Sequence, residues 1–522
     1  MNRVRAIALL IIVGYALYFN VFFNGFLWDD EVVILNNPLI SSVKNIGSFY
    51  TGSFLKSGIS TSLFSSYYRP VMTTVHTFLY VLFGPTPFFF HFFQISIHIL
   101  NSILVYLVLF YLIKNSTLSL LLSFVFLVHP INVEAVSFIS ATQEVLFVFV
   151  GLLSLFYLLK SSSFDNKKLL IINFLIFTSL LIKESGILFF GLVFIYLMIF
   201  NKKYAYLSLF FSILSVLLYG LIRIFTGVLY VSGIGLFPIM RVPFLTRLIT
   251  IPKILFFYIS SFFYPIDLAT SQHWVVYKLD INNFYIPLAL IILSLITIFF
   301  YLIKSKNKLF LFFFMWLILG LGIHSQLIAL NMTVAERWFY FPMVGLLGII
   351  GVLLKKTYVK NYKLINIVFI IIIILFTVRS FIRTFDWRNG LSLFSHDLIY
   401  SKESFDLQNN LGVELFRLGK IEKAHTHFET SVKLAPYWWV NWNNLGAYYQ
   451  YKKNYKKAEF FYKKSITNGD YELAFENYVG ILILQKKYNE AHKFLEETAL
   501  KKFPFNQKIV FYKEYLRDLG LF

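Results

Sequence analysis

Three consecutive carboxylates, Asp29, Asp30 and Glu31, follow the first apolar segment of the chain, in the stretch Phe26-Leu27-Trp28-Asp29-Asp30-Glu31 with Asn36-Asn37-Pro38 behind it. Carboxylates beside a bilayer are costly to desolvate and serve ion pairing, proton transfer or metal binding. Further polar residues interrupt the apolar sequence at Arg69, His129, Glu134, Glu144, Lys183, Glu184, Glu336 and Arg337. Taken singly, each fits an ion pair at a helix end. Gathered on one face, they would line a cavity with carboxylates for proton transfer, and with Arg69, Lys183 and Arg337 as cations for an anionic group.

The elements that must position these residues are membrane helices. The chain has 522 residues, 58% of them hydrophobic, 20% aromatic and 14% charged, with a mean hydropathy of +0.70, which excludes an ordinary soluble protein. The net charge of +21 collects in short loops between apolar segments, a signal of membrane topology, and nucleic-acid binding is set aside. The absence of cysteine excludes disulfides, thiolate metal sites and cysteine nucleophiles. Arg3 and Arg5 precede an apolar run with no small-residue cleavage site, which reads as a retained first helix rather than a signal peptide.

About 20 apolar residues span a bilayer as a helix, and Lys and Arg favour the cytoplasmic loops, so spans and sidedness can be assigned together. A first helix at about 6–23 delivers the acidic stretch to the outer face. The first outer loop, 24–87, includes Tyr68-Arg69-Pro70 and an apolar stretch at 71–83 that is too short to span and reads as an interfacial helix. Helices follow at about 88–113, 117–128, 144–160, 169–182, 187–200 and 204–225. The segment 247–264 reads as re-entrant or interfacial, because counting it as a span would put Lys304, Lys306 and Lys308 outside. Helices at about 283–303, 309–328, 336–354 and 364–382 complete about eleven spans and leave the C-terminal region outside.

From about residue 400 the composition turns polar and aromatic, and an internal repeat emerges. Leu411-Gly412, Leu445-Gly446 and Val479-Gly480 recur at the same interval as Ala424 and Ala458, 34 residues. This is the tetratricopeptide-repeat signature, a helix-turn-helix unit whose small residues allow close helix packing. About three repeats fill 401–522, the minimum for a stable solenoid, and their concave face is suited to an extended peptide or another protein. The fold class expected is therefore all-α: a polytopic membrane domain at 1–385, a linker at 386–400 and a repeat solenoid.

Transfer of a sugar from a lipid phosphate to a hydroxyl suits these polar groups. A carboxylate removes the acceptor proton while the sugar–phosphate bond breaks, and Arg or Lys stabilises the departing phosphate. A transporter would more naturally show paired internal repeats and charges deep within its spans.

The motifs resemble those of the transmembrane and tetratricopeptide-repeat O-mannosyltransferases and their prokaryotic relatives, within the C-type glycosyltransferase fold. They occur in family order: Trp28-Asp29-Asp30 with Asn37-Pro38, Tyr68-Arg69-Pro70, His129-Pro130 through Glu134-Ala135-Val136, Lys183-Glu184 with Gly186, Ala335-Glu336-Arg337 with Tyr340, Pro342 and Gly345, then Asp386-Trp387-Arg388 before the repeats. The resemblance implies a polyprenyl-phosphate sugar donor, an inverting single displacement, Asp29 or Asp30 as general base, and an outward-facing site. It places Arg69, Lys183 and Arg337 at the donor phosphate, with His129, Glu134, Glu144, Glu184 and Glu336 shaping the cavity. No cofactor or metal is expected, the lipid-linked sugar being a substrate; the paired carboxylates are where a divalent ion would bind. The sequence departs from the family pattern at Asn132, where a second histidine is common, and at Thr142-Gln143-Glu144, where an arginine usually precedes the acidic residue, which leaves the sugar open between mannose and others. The reading is a multi-pass glycosyltransferase of the cytoplasmic (inner) membrane that modifies Ser or Thr of proteins on the extracytoplasmic side, with the repeats presenting the acceptor. The alternatives are transfer to a lipid or cell-envelope glycan, and a non-catalytic repeat scaffold of the envelope.

Overall fold

The structure, a computed structural model, describes residues 2–52, 67–160, 165–228 and 235–520; positions 53–66 of the first outer loop lie outside the described residues. Among the described residues no strand forms beyond a single bridge between Gln272 and Val334. Among the described residues six helices are long and apolar enough to cross a membrane, or seven if the bent pair Ser116–Val128 and Pro130–Ser137 counts as one span, where the sequence suggested about eleven spans. The chain is an all-α polytopic membrane protein, as its composition requires.

The lysine-rich turns gather at one end. Arg3 lies over the Phe110 ring at 4.4 Å, beside the end of Pro87–Ile113. Tyr301 and Phe310, 4.5 Å apart, bracket the turn with Lys304, Lys306 and Lys308, and Phe200 beside Phe312 brings the Lys202 turn alongside. The opposite end carries the candidate site residues.

The last long helix, Tyr340–Asp386, breaks at Asn361 (φ −125°, ψ 37°). Tyr340 packs edge-on to Phe126 at 4.9 Å, and forty residues later Ser380 donates to the Val128 carbonyl at 2.7 Å. A straight helix would hold those two positions ~60 Å apart. The limbs are therefore antiparallel, with Lys355–Lys363 in the turn between them, as the hydropathy pattern at 336–354 and 364–382 anticipates. Helix Phe244–Phe263 is long enough to cross, yet it lies along the end that carries the site residues. Thr250 Oγ1 accepts from the Val276 N–H of the following loop, Tyr258 stacks on Phe339, and Phe262 stacks on His129.

The C-terminal region folds as helical pairs, Phe405–Arg417 with Ile421–Leu434 and Trp439–Tyr451 with Tyr455–Asn468, followed by Glu472–Leu484. The small residues at 34-residue spacing act as the sequence suggests. A Cβ on Gly412 would meet the Phe428 ring at 2.6 Å, and one on Gly446 would meet Tyr462 at 2.6 Å. Ser431 and Ser465 repeat the same bond, donating to the carbonyls of Phe405 and Trp439.

The stretch expected as a linker, 386–400, is instead largely helix. Gly390–Tyr400 is capped by Asn389, whose side chain accepts from Ser392 N–H. Its Leu393 and Phe394 are buried in one apolar cluster with Leu17, Trp387, Leu407 and Leu411. Burying each such side chain contributes ~1.5–3 kcal/mol, which favours a docked helix over an open connector. The repeats are thereby packed onto the membrane region.

Candidate active site

Asp29 sits in a tight turn after the first helix. Its neighbour Trp28 holds a left-handed backbone (φ 58°), which is costly for a bulky residue. The turn is clamped by stacking of Trp28 on Phe138 (5.4 Å) and by edge contact with Phe394 (6.1 Å). The two aspartates consequently part. Asp30 is 1% exposed and accepts three hydrogen bonds: from Leu27 N–H at 3.1 Å, Ser140 N–H at 2.7 Å and Ser140 Oγ at 2.5 Å. Asp29 is half-buried and lines a cavity.

That cavity is bounded by the first loop, the helix Pro70–Phe83 and the ends of three further segments. Arg69 precedes Pro70, whose fixed φ starts the helix, and its guanidinium is bidentate to Glu184 Oε2 (3.0 and 2.9 Å) and lies over Tyr67 at 4.3 Å. Lys183 is extended between Asn166–Ile182 and the turn Glu184–Gly186. Gly186 allows this turn, since a Cβ there would lie 2.4 Å from the backbone of Ser179 and Leu180. Lys183 Nζ is paired with Glu144, in the first turn of Thr142–Lys160. Arg337 is fixed twice by Glu134, through its guanidinium and through its backbone N–H at 2.8 Å, and its Nε lies 3.9 Å from Glu144.

Of the residues expected at the site, Asp29, Arg69, Glu144, Lys183 and Arg337 line the cavity together. Glu134 and Glu184 lie behind it and hold the two arginines. Asp30 is bonded to the backbone of the turn and of the 139–141 segment, not turned to the cavity. His129 is also placed elsewhere: it is fully buried, its Nδ1 accepts from Ile131 N–H and its Nε2 is 2.9 Å from the Phe262 carbonyl, so it pins the Phe244–Phe263 helix. Glu336 points away from the cavity toward Arg383 Nη2 at 3.6 Å. The remaining wall includes Tyr67, Met72, Ser140, Gln143, Asn331 and Trp338, which sequence reasoning did not single out as site residues. Gln143 alone carried a signal, as the residue where an arginine is usual.

Burial raises the Asp29 carboxyl to about 6, Arg337 pulling it down and Asp406 pushing it up. Burial lifts Asp30 to about 7 against its hydrogen bonds from Ser140 and Leu27. The Lys183 ammonium is drawn below its ordinary range by burial, opposed by Glu144 and reinforced by Arg69. Asp29 has no hydrogen-bond partner among the described residues, whereas each cation has a carboxylate. A carboxylate titrating just below neutrality beside three cations can take a proton at the point where an anion is held.

The fold and this cavity define a class: polytopic membrane proteins with a charged cavity at one end of the helix bundle. Comparison with known proteins narrows it. Over 496 residues, 87% of this chain and 53% of the relative, the sequence is 24% identical to the protein O-mannosyl-transferase TMTC3 of Homo sapiens. It is 24% identical over 452 residues, 83% of this chain and 63% of the relative, to a protein O-mannosyl-transferase of Caenorhabditis elegans. A shorter match, 30% over 188 residues, covers 33% of this chain and 21% of the protein O-mannosyl-transferase TMTC1 of Homo sapiens. No family model matches the chain. The chain spans between about half and two thirds of the length of the first two relatives. The resemblance drawn from the ordered motifs to the transmembrane and tetratricopeptide-repeat O-mannosyltransferases is borne out by these relatives.

Proposed function

We propose that this chain is a membrane glycosyltransferase that moves a sugar from a polyprenyl phosphate to Ser or Thr hydroxyls of proteins on the extracytoplasmic face of the cytoplasmic membrane. Asp29 is the base of an inverting single displacement. It takes the proton of the acceptor hydroxyl as that oxygen attacks the anomeric carbon, and the bond to phosphate breaks with its electron pair on the departing oxygen. Arg69, Lys183 and Arg337 stabilise the charge that develops there, so the leaving group needs no added proton. The observation that carries this reading is the meeting of one carboxylate without a hydrogen-bond partner among the described residues, Asp29, with three cations in a single cavity. The relatives' names support a protein acceptor, and mannose is the first sugar to test.

The C-terminal helical pairs, read as tetratricopeptide repeats, present the acceptor. Their first helix carries Asp406, whose charge is felt at Asp29, so an acceptor lying along them is close to the base. Purified protein incubated with a panel of polyprenyl-phosphate sugars, with and without Ser/Thr peptides, is expected to turn over one donor and to yield glycopeptides. Turnover of no donor in the panel would overturn the reading. Turnover that gives modified lipid or glycan and no glycopeptide would replace the acceptor.

A further inference from the structure

Each of the three cations at the cavity has a carboxylate before any donor enters. Arg69 is paired with Glu184, Lys183 with Glu144 and Arg337 with Glu134, and Asp29 adds a further carboxylate. Among the described residues that line the cavity, an arriving phosphate meets no cation without a carboxylate. Two of the three pairs have the carboxylate behind the cavity, but the Lys183 pair differs, because Glu144 itself lines the cavity. Glu144 also reaches two of the cations at once, with its Oε1 on Lys183 Nζ and 3.9 Å from Arg337 Nε. A carboxylate held between an ammonium and a guanidinium occupies the place that two oxygens of a phosphate would take.

We propose that Glu144 is an internal counterion holding the place of the donor phosphate, and that it takes up a proton when the phosphate binds. The inference rests on the reading of the cavity as a lipid-phosphate site. Its physical basis is repulsion in a buried chamber. Glu144 is 2% exposed, so it cannot swing into water without opening the helix end, and a phosphate between Lys183 and Arg337 would lie beside its charge. Protonation removes that charge and leaves both cations to the phosphate. The other charged groups around it are accounted for. Glu134 is held by two contacts to Arg337, Glu184 by Arg69, and His324, stacked on Trp338, bonds the Gly320 carbonyl. Tyr258 bonds the backbone of Ala335, and Asp29 faces the cavity from the first loop.

Binding with proton uptake weakens as pH rises, by up to tenfold per unit. The test is calorimetric titration of the full-length protein with a short-chain polyprenyl phosphate and, separately, with inorganic phosphate, in buffers of different ionisation enthalpy. It is run above about pH 8.5, where the second ionisation of both the phosphate ester and inorganic phosphate is essentially complete. The wild type is expected to take up about one proton per site and to bind more weakly at higher pH. Glu144→Gln is expected to bind about tenfold tighter, with a flat pH profile and no uptake. Glu144→Asp keeps the uptake, and Asp29→Asn does too, which separates the two carboxylates. Wild-type binding without uptake, or Glu144→Gln binding no tighter, overturns the counterion role and leaves the glycosyltransferase reading intact. Uptake with inorganic phosphate but no binding of the lipid keeps the counterion and overturns the donor; binding of neither overturns both. If Glu144→Gln does not fold, the proton count of Asp29→Asn beside the wild type decides: uptake kept in Asp29→Asn supports Glu144, and uptake lost with it overturns the counterion role.

Discussion

Two clusters of buried charge lie back to back in this protein, separated by one peptide bond. Arg337 enters the cavity with Glu144, Lys183 and Arg69, and Glu336 enters a second cluster with Arg383, Asp397, Asp386 and His396. Both combine arginine with carboxylates, the first adding Lys183 and the second His396, and both oxygens of Glu336 lack a hydrogen bond among the described residues, so the difference lies in access to the cavity. In the second cluster Arg383 is fully buried, bonded to Asp397 at 2.7 Å and to Asp386 at 3.2 Å, and Asp397 also accepts from Thr270 N–H. It ties the end of the last membrane limb to the helix that leads into the repeats. The first cluster keeps an open side and one carboxylate, Asp29, with no partner among the described residues. Buried charge shut off from any cavity fixes a junction, and buried charge that opens on one is available for chemistry.

The sharpest way to break this comparison is Asp29→Asn. Transfer is expected to fall about 10²–10⁴-fold, the ordinary contribution of a positioned base, with little change in melting temperature. Retained transfer would remove the distinction between the clusters. The same residue sets a pH profile. With its carboxyl at about 6, transfer rises as pH increases through that value and levels off above it. The stability sign is opposite. A carboxyl raised above its unfolded value holds more protons in the folded state, so its contribution falls as pH rises from about 4 to about 6.

Next in size is Arg383→Met in the closed cluster. It leaves Asp397 and Glu336 without their shared cation, and a loss of ~3–5 kcal/mol is expected from breaking such a buried network. Thermal melting in detergent, with limited proteolysis at the entry to the repeats, measures it. An unchanged melting point together with lost transfer would mean that this cluster, too, belongs to the chemistry.

Asp30→Ala tests the division between the two aspartates. It strands the N–H groups of Leu27 and Ser140, for a loss of ~1–3 kcal/mol, while Asp29 keeps its place at the cavity. Transfer is expected to fall far less than in Asp29→Asn once both are assayed well below their melting points. Equal losses would make the pair a single catalytic unit.

This division marks where the sequence stops being readable. The all-helical apolar character and the lysine-rich turns are visible because hydropathy and charge act locally, and even the reversal at Asn361 follows from the lysines at 355–363. Arg69, Lys183 and Arg337 are also legible as cations, since each is a basic residue at a helix end. Asp29 and Asp30 are identical in type and adjacent. What separates them is the left-handed turn at Trp28 and a pair of donors on Ser140, 110 residues further along. Glu336 and Arg337 pose the same difficulty, because neighbouring side chains on a short helical turn face different surroundings. His129 looked like a cavity residue for want of its partner, the Phe262 carbonyl, which no local pattern announces.

The smallest effect is expected where the first loop touches the repeats through charge. Arg417, in the first repeat helix, is bidentate to Glu31 at 2.8 and 2.9 Å, but the two side chains are 52% and 35% exposed. Exposed pairs contribute ~0.2–1 kcal/mol, and salt screens them. The same two regions also share the buried cluster of Trp387, Leu393, Phe394, Leu407 and Leu411, against which Trp28 packs. Arg417→Ala is therefore expected to change transfer less than about twofold and to leave the repeats docked, as protease resistance at moderate salt would report. If it instead released them, or if salt alone did so in the wild type, the docking would be ionic, and the clamp on Trp28 that orients Asp29 would depend on an exposed pair rather than on a closed core.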